Sequence, residues 1–404
     1  MVEWSIASVL KTEVLKGTVG SNPTPSANFL RREMEIMWKR FTQFITESIF
    51  RVLAVFFPPT PGELPKDPKL ILVFSTTGIG DALFDTAAVR SLMESFPHAK
   101  IVVCAHRKRS TVFQHDPDVE EVVPYGKSPL YAFRLLRRFR RQRPDLVVLL
   151  NINPEVVPIA YSINRHAVFG GSWRCGSYGF LLSHQVPLPE EGHILRLGAV
   201  IASAAGASAD ANRMVYQSNG SEIASVRERF SEWIDRPFVI FQAGGGRSRA
   251  WRDWPVDSYI RNIRWLLERY PVRVILTGGW DNEEVAGKIE SNCPGVVNLC
   301  SRTTLEETAA LLTRATMLVS TDTGVLFMAY ATGCPALAIL HHASPGALIG
   351  PKDSTAGHEV VELSKPDVPV GQLHGEMEKI EDEDVRAAIE RILERRGVQV
   401  SEAG

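Results

Sequence analysis

The sequence predicts an α/β protein: two Rossmann-like parallel-sheet domains in tandem, facing across a cleft, with a helical extension at the N-terminus. Three observations predict it. From Leu70 onward, short apolar runs alternate with helical stretches, the rhythm of βαβ units. That rhythm breaks over 206–222, "GASADANRMVYQSNGSE", a small and polar stretch of boundary composition, and then resumes. A chain of 404 residues is also too long for one ordinary core.

Residues 1–27 read as irregular, with "GSNPTPSAN" as a loop. The opening "MVEWSIASVLKTEVLKG" carries Glu3 early and lacks a long apolar core, which makes a poor signal peptide. Residues 28–57 read as a helix, because Leu30, Met34, Met37, Phe41, Phe44, Ile45, Ile49, Val52 and Phe56 recur near a 3.6-residue spacing. Glu47 and Arg51 interrupt its apolar run, so no spanning helix is expected. Arg31, Arg32, Lys39 and Arg40 add positive charge, and the helix suits a membrane interface as well as packing on its own domain or a partner. "PPTPGELPKDP" follows as a linker. Strands of the first sheet are expected at "LILVF", "KIVVCA", "EEVVPY" and "DLVVLL", with helices over 82–96 and 129–142. The second sheet is expected from "FVIFQ", "RVILTGG", "VVNLC", "MLVST" and "ALAIL", with helices over 255–270, 281–292, 304–315 and 324–332. A charged helix over 371–396 ends the pattern. The expected division is 1–66, 67–215 and 216–404.

Net charge is −1, so the whole molecule is not built for nucleic acid. Cys104, Cys175, Cys293, Cys300 and Cys334 are odd in number and lack a C-x-x-C spacing. That argues against a disulfide framework or zinc site and fits a reducing compartment better.

Ligands of open parallel sheets bind outside the carboxyl ends of the strands. The turns there are "TTGIGD" (76–81), "QAGGGRSRAWRDWP" (242–255), "TGGWDNEE" (277–284), "STDTG" (320–324) and "LHHASPG" (340–346). Four of the five lie in the C-terminal half, which therefore reads as the ligand-holding half. Gly244, Gly245 and Gly246 can expose consecutive N–H groups as an anion nest, with Arg247, Arg249 and Arg252 following. "TDTG" leads into a helix N-terminus, which also attracts anions. Together these suit a diphosphate; a surface turn with solvated arginines is the competing reading. Asp81 and Asp322 each read either as a helix cap or as a carboxylate presented to a cleft. Glu283 and Glu284 can accept ribose hydroxyls or simply complement a helix dipole. His341 and His342 lack an evident third ligand, so no metal site is expected. The basic run "RLLRRFRRQR" (134–143) makes a positive helix face, a solvated surface or a match for an anionic acceptor or headgroups.

The ordered blocks resemble glycosyltransferase family nine, the heptosyltransferase-like inverting enzymes of GT-B fold, from about Leu70 to Pro351. "GIGDALFDTAAVRSLMESFPHAKI" resembles the family's opening block and "WRDWP" its Lys-x-Trp-Pro block. "LTGGWDNEE" resembles its Gly-rich turn, "TTLEETAALLTRATMLVSTDTG" its helix–strand–turn segment, and "ASPGALIGP" its closing block. The resemblance implies that Asp81 is the catalytic base. It implies donor binding by Gly244, Gly245, Arg249, Arg252, Gly278, Glu283 or Glu284, Asp322, Thr323 and Gly324. Gly80, Arg137 and Arg138 are the acceptor-side candidates. The implied donor is a nucleotide sugar, typically ADP-heptose, used as substrate with no further cofactor. The implied acceptor is an anionic lipopolysaccharide-type glycan or glycolipid, met in the cytoplasm at the inner face of the membrane. The chain departs from the family pattern at Phe327, where His is usual, at Gln242-Ala243-Gly244, at Ala87 and at Arg252, where Lys is usual. "DPD" (116–118) lies in the first domain, away from the expected donor half, and "DED" (382–384) lies in the acidic tail, so metal-independent transfer is expected. The alternatives are a nucleotide-sugar-binding protein without transfer, or another nucleotide-sugar enzyme such as an epimerase or hydrolase.

Overall fold

The computed structural model describes residues 27–126, 128–208, 210–352, 355–364 and 376–401, with backbone alone at 27–33, 35, 36, 39 and 247–249. The expected signal-peptide-like opening and most of the "GSNPTPSAN" loop lie outside the described residues.

Helix α1 (Ala27–Phe56) is a unit by itself. Met34, Met37, Trp38, Phe41, Phe44, Ile45, Ile49, Val52, Val55 and Phe56 are all exposed along it, one apolar stripe at the helical period. Among the described residues no helix is long and apolar enough to cross a membrane.

The second unit holds everything from Pro58 to Lys365 together with Gly375–Gly404. Its first sheet comprises β1 (Leu70–Ser75), β2 (Lys100–His106), β3 (Glu121–Tyr125), β4 (Leu146–Leu149), β5 (Val168–Gly171) and β6 (His184–Val186). Its second comprises β7 (Phe238–Gln242), β8 (Arg273–Thr277), β9 (Val297–Asn298), β10 (Met317–Ser320), β11 (Ala336–Leu340) and β12 (Glu359–Glu362). The intervening helices are α2 (Ile79–Ser95), α3 (Pro129–Gln142), α4 (Val157–Ile163), α5 (Leu195–Ala204), α6 (Gly220–Ile234), α7 (Val256–Arg269), α8 (Glu283–Asn292), α9 (Leu305–Leu312), α10 (Gly324–Thr332) and α11 (Asp382–Arg395).

The sheets run β3-β2-β1-β4-β5-β6 and β12-β11-β10-β7-β8-β9. All strand pairs are parallel. Each half therefore repeats one doubly wound order and reverses direction once, between β1 and β4 and again between β7 and β10. The central strands are uniformly apolar because helices cover both sheet faces: Ile71–Phe74 and Phe238–Phe241 are fully buried. One apolar cluster runs from Leu83, Phe84 and Ala87 of α2 to Leu326, Phe327 and Tyr330 of α10, so the halves share a core.

The βαβ rhythm is found where expected, and α3 spans the expected 129–142. Strands β5, β6 and β12 escape periodicity: "VFGG" and "HQV" are short, and "EVVE" is flanked by charge. The expected linker after α1 is not a free tether. Gly62 N–H donates to the His166 carbonyl (2.9 Å) and Thr60 Oγ1 lies 3.1 Å from His166 Nδ1, which ties it to the entry of β5.

Candidate active site

The site is built at the two chain reversals. In the first half, α2 begins at Gly78, and Asp81 is the third residue of a capping box: its Oδ2 accepts the Gly78 N–H at 3.1 Å. Asp81 thus serves the helix start without being its N-cap, and it stays half-exposed. One turn on, Asp85 is buried, 1 % exposed. Its Oδ2 accepts the Asn151 backbone N–H at 3.1 Å and its Oδ1 accepts Asn151 Nδ2–H at 2.6 Å. Asn151 follows β4, so this bridge spans the reversal. Asn151 Oδ1 in turn accepts from Arg174 Nη1, carried on the turn after β5. Burial pulls Arg174 below its ordinary value, while the charges of Asp85 and Asp81 oppose that. Burial pushes Asp85 up to about 7 against Ser75, Arg174 and Asn151. Arg109, from the turn after β2, donates to the Thr77 carbonyl (2.5 Å) at the base of the same loop.

In the second half, Arg252 is nearly buried, its side chain 11 % exposed, and it pairs with Asp322, 7 % exposed. Its Nη1 also donates to Ser344 Oγ at 2.6 Å. Asp322 therefore balances a guanidinium, and Thr323 is the cap of α10: its hydroxyl accepts Leu326 N–H at 3.3 Å.

The two reversals touch. A Cβ added to Gly324 would stand 3.2 Å from Ile79 and 3.8 Å from the Gly80 nitrogen. A Cβ added to Gly80 would stand 2.6 Å from the Phe327 ring. This approach of two helix N-termini leaves no room for a side chain at Gly80 and little at Gly324. Phe327, in the position where the resemblance expects histidine, packs against Phe84 with the rings tilted at 54° and their centroids 4.6 Å apart, and it seals the joint with hydrocarbon. The turn bearing Asp81 is thus set against the turn bearing Thr323 and Gly324, with the Arg252–Asp322 pair beside it.

Other expected residues lie differently. The glycine nest is filled from within the chain: Gly245 N–H donates to Asp253 Oδ1 at 2.7 Å, and Gly244, at φ 118°, packs against the same carboxylate. The Gly245 N–H of the expected nest is thus taken by a carboxylate of the chain itself. Arg249 has no described side chain. Gly278 is hemmed by Asn282 and Cys300, at 2.9 Å from a would-be Cβ, and is a packing position. Glu284 is 82 % exposed and pairs with Lys288 (2.7 Å); Glu283 lies near Cys300, whose thiol burial pushes up to about 11. Arg138 is bound to Glu121 at the amino end of β3, the end of the sheet opposite Asp81, and Arg137 is exposed on the same helix. The acceptor-side candidates Arg137 and Arg138 therefore lie at the end of the sheet away from Asp81, because α3 runs antiparallel to the strands.

The third metal-ligand candidate missing from the sequence reading is Glu376. Its Oε2 lies 2.9 Å from His342 Nε2 and 3.7 Å from His341 Nε2. However, Ala343 N–H donates to His341 Nδ1 at 3.0 Å, which puts the neutral ring's proton on Nε2 and leaves that atom no lone pair for a metal. Burial, with His342 beside it, pushes His341 down to about 4, so it is neutral near pH 7. The cluster pins the turn that carries Ser344. "DPD" is spent on Arg90, at 3.3 Å to Asp116 and 3.8 Å to Asp118, and Asp382 of "DED" on Arg261 (2.5 Å).

Asp85, Arg109, Asn151, Arg174, Asp253 and Ser344 were not singled out from sequence. Asn151 and Arg109 each follow a recognisable strand within a few residues, and that was the available signal. Arg174 follows a strand that periodicity does not reveal.

The sequence model of glycosyltransferase family 9 (heptosyltransferase) matches residues 132–367. Lipopolysaccharide heptosyltransferase 2 of Escherichia coli (strain K12) is 25 % identical over 299 residues, covering 68 % of this chain and 83 % of that protein. Lipooligosaccharide heptosyltransferase 2 of Haemophilus ducreyi is 23 % identical over 335 residues, covering 77 % and 90 %. Two solved structures share the fold. The family 9 glycosyl transferase of Veillonella parvula has a TM-score of 0.69 at 17 % identity, covering 82 % of this chain and 98 % of that one. The E. coli ADP-heptose lps heptosyltransferase II has a TM-score of 0.67 at 19 % identity, covering 81 % and 99 %. With two six-stranded parallel sheets in repeated order and a family match over more than half its length, the chain belongs to glycosyltransferase family 9 and is a glycosyltransferase.

Proposed function

We propose that this enzyme transfers a heptose from ADP-heptose, with inversion and without a metal, to a lipopolysaccharide-type acceptor. The observation that carries this reading is the contact of the two reversals, which sets the turn bearing Asp81 against the turn bearing Thr323 and Gly324, with Arg252 beside it. In the proposed step Asp81 takes the proton of an acceptor hydroxyl as that oxygen attacks the anomeric carbon. The bond to the diphosphate breaks, and the nucleoside diphosphate leaves with the electron pair. Arg252 and the N-terminus of α10 stabilise its growing charge, and Thr323 and Gly324 lie where a diphosphate would rest. A fixed guanidinium supplies the charge that a divalent cation supplies in other transferases. The donor assignment is supported by what the relatives are named for; the single base supports inversion.

The test is nucleotide diphosphate release from a panel of nucleotide sugars, with glycolipid acceptors and EDTA. Turnover of ADP-heptose that needs acceptor and survives EDTA is expected. Release without acceptor would indicate a hydrolase, and binding without release with any acceptor would indicate a nucleotide-sugar-binding protein.

The same reading includes a peripheral contact with the cytoplasmic membrane face through residues 28–57. The exposed apolar stripe of α1 supports it, since a patch of that size is costly in water. The full chain is expected to float with phosphatidylglycerol vesicles. Phe41→Glu with Ile45→Glu should lower the bound fraction at least several-fold; unchanged flotation would exclude the stripe as the contact.

A further inference from the structure

The proton-accepting role given to Asp81 leaves a second carboxylate unexplained one helical turn behind it. Asp85 is buried, yet among the described residues it is not paired directly with a cation; it is chelated by the backbone and side-chain N–H groups of Asn151 (3.1 and 2.6 Å). Because both Asp85 oxygens accept from Asn151, the Asn151 amide has one orientation, with its Oδ1 turned to Arg174. The same amide nitrogen also reaches the Asp81 carbonyl at 3.4 Å. Arg174 feels both carboxylates, and its Nε–H is buried with no hydrogen-bond partner among the described residues. A buried guanidinium donor without a partner is costly unless a substrate oxygen takes it.

We propose that Asp85 is a positioning residue of the transfer site: through Asn151 it holds the Arg174 guanidinium beside Asp81, and it does so only as the carboxylate. The inference rests on the transferase reading for its kinetic consequence, not for its geometry. A carboxylate accepts at both oxygens, whereas a protonated acid turns one of them into a donor facing an N–H. Protonation therefore breaks half the chelate, frees the Asn151 side chain and unhooks Arg174. The groups facing Asp85 are the neutral Ser75 hydroxyl of β1, the neutral Asn151 amide after β4 and the Arg174 cation after β5, with Asp81 on its own helix acting through Arg174. Burial holds Asp85 at about 7, so the exchange falls within a physiological range. The sign for stability is opposite to that for function. The folded chain favours the uncharged acid, so the stabilisation is full below the ordinary carboxylate value and is lost as pH rises through about 7. Positioning is gained over the same rise.

The Trp173 indole lies 5.3 Å from the Arg174 guanidinium carbon and reports its position. The experiment is the fluorescence of the full chain minus that of Trp173→Phe, followed from pH 5 to 9. An inflection near pH 7 is expected, absent when Asp85→Asn is made in both proteins; asparagine offers one acceptor and one donor, as the protonated acid does. An inflection that persists in Asp85→Asn, or none in the wild-type difference, overturns the proposal. Should Asp85→Asn fail to fold, Asn151→Ala, which cuts the link and leaves Asp85, is expected to remove the same inflection, and its persistence there overturns the proposal equally. In turnover, the acceptor KM is expected to rise about tenfold between pH 8 and pH 6 with the donor KM unchanged, and to stay high at both in Asp85→Asn. An acceptor KM that responds to pH alike in both proteins overturns it. If no donor turns over at all, the transferase reading fails while the fluorescence result still decides this one.

Discussion

Asp81→Asn is expected to lower kcat about 10²–10⁴-fold, the usual worth of a positioned general base. The asparagine oxygen can still accept the Gly78 N–H that Asp81 accepts at 3.1 Å, so α2 keeps its start and the fold is retained. Donor affinity should be unchanged by calorimetry, because the substitution lies in the opposite half from Arg252. Initial rates of nucleotide diphosphate release with ADP-heptose and a glycolipid acceptor measure the effect. Turnover within about threefold of wild type, a margin far below the usual worth of a base, would reduce Asp81 to a capping-box residue.

Arg252→Ala is expected to cost both stability and transfer. It leaves the Asp322 carboxylate, 7 % exposed, without its cation, and breaking a buried pair in this way typically costs about 3–5 kcal/mol. It also removes the charge proposed to meet the leaving diphosphate, for about 10²–10³-fold in kcat. Arg252→Ala with Asp322→Asn separates the two effects: the double variant should recover most of the denaturant midpoint and none of the turnover. Arg252→Lys keeps the positive charge but reaches Asp322 and Ser344 with a single ammonium in place of a guanidinium fork. Intermediate turnover is expected from it. Full activity in Arg252→Ala would remove this residue from the donor site.

The local frame of the candidate site was legible because it obeys short-range rules. "TTGIGD" and "STDTG" each carry their strand end, their turn and their helix start within a few residues, and both turns are where periodicity and capping put them. The glycine nest shows the limit of such reading. The three glycines did form an open turn, but Asp253, eight residues on, folds back into it, and a contiguous motif says nothing about which anion fills a nest. The basic run of α3 shows another. Its helix was read correctly to the residue, yet the pairing of Arg138 with Glu121 depends on which end of the sheet each residue reaches.

What the sequence by itself determined was the alternation of strands and helices, the tandem of two sheets and the turns at the carboxyl ends, since period, propensity and capping act within one or two turns of chain. Only the tertiary structure decided that Asp85 would find Asn151, 66 residues away, and that Asn151 would find Arg174, 23 residues further. It alone set Gly80 against Phe327 and paired Arg252 with Asp322. Those contacts follow from strand order and from how closely two helix N-termini can approach, and both are settled by burial summed over the whole core, not by any local stretch of residues.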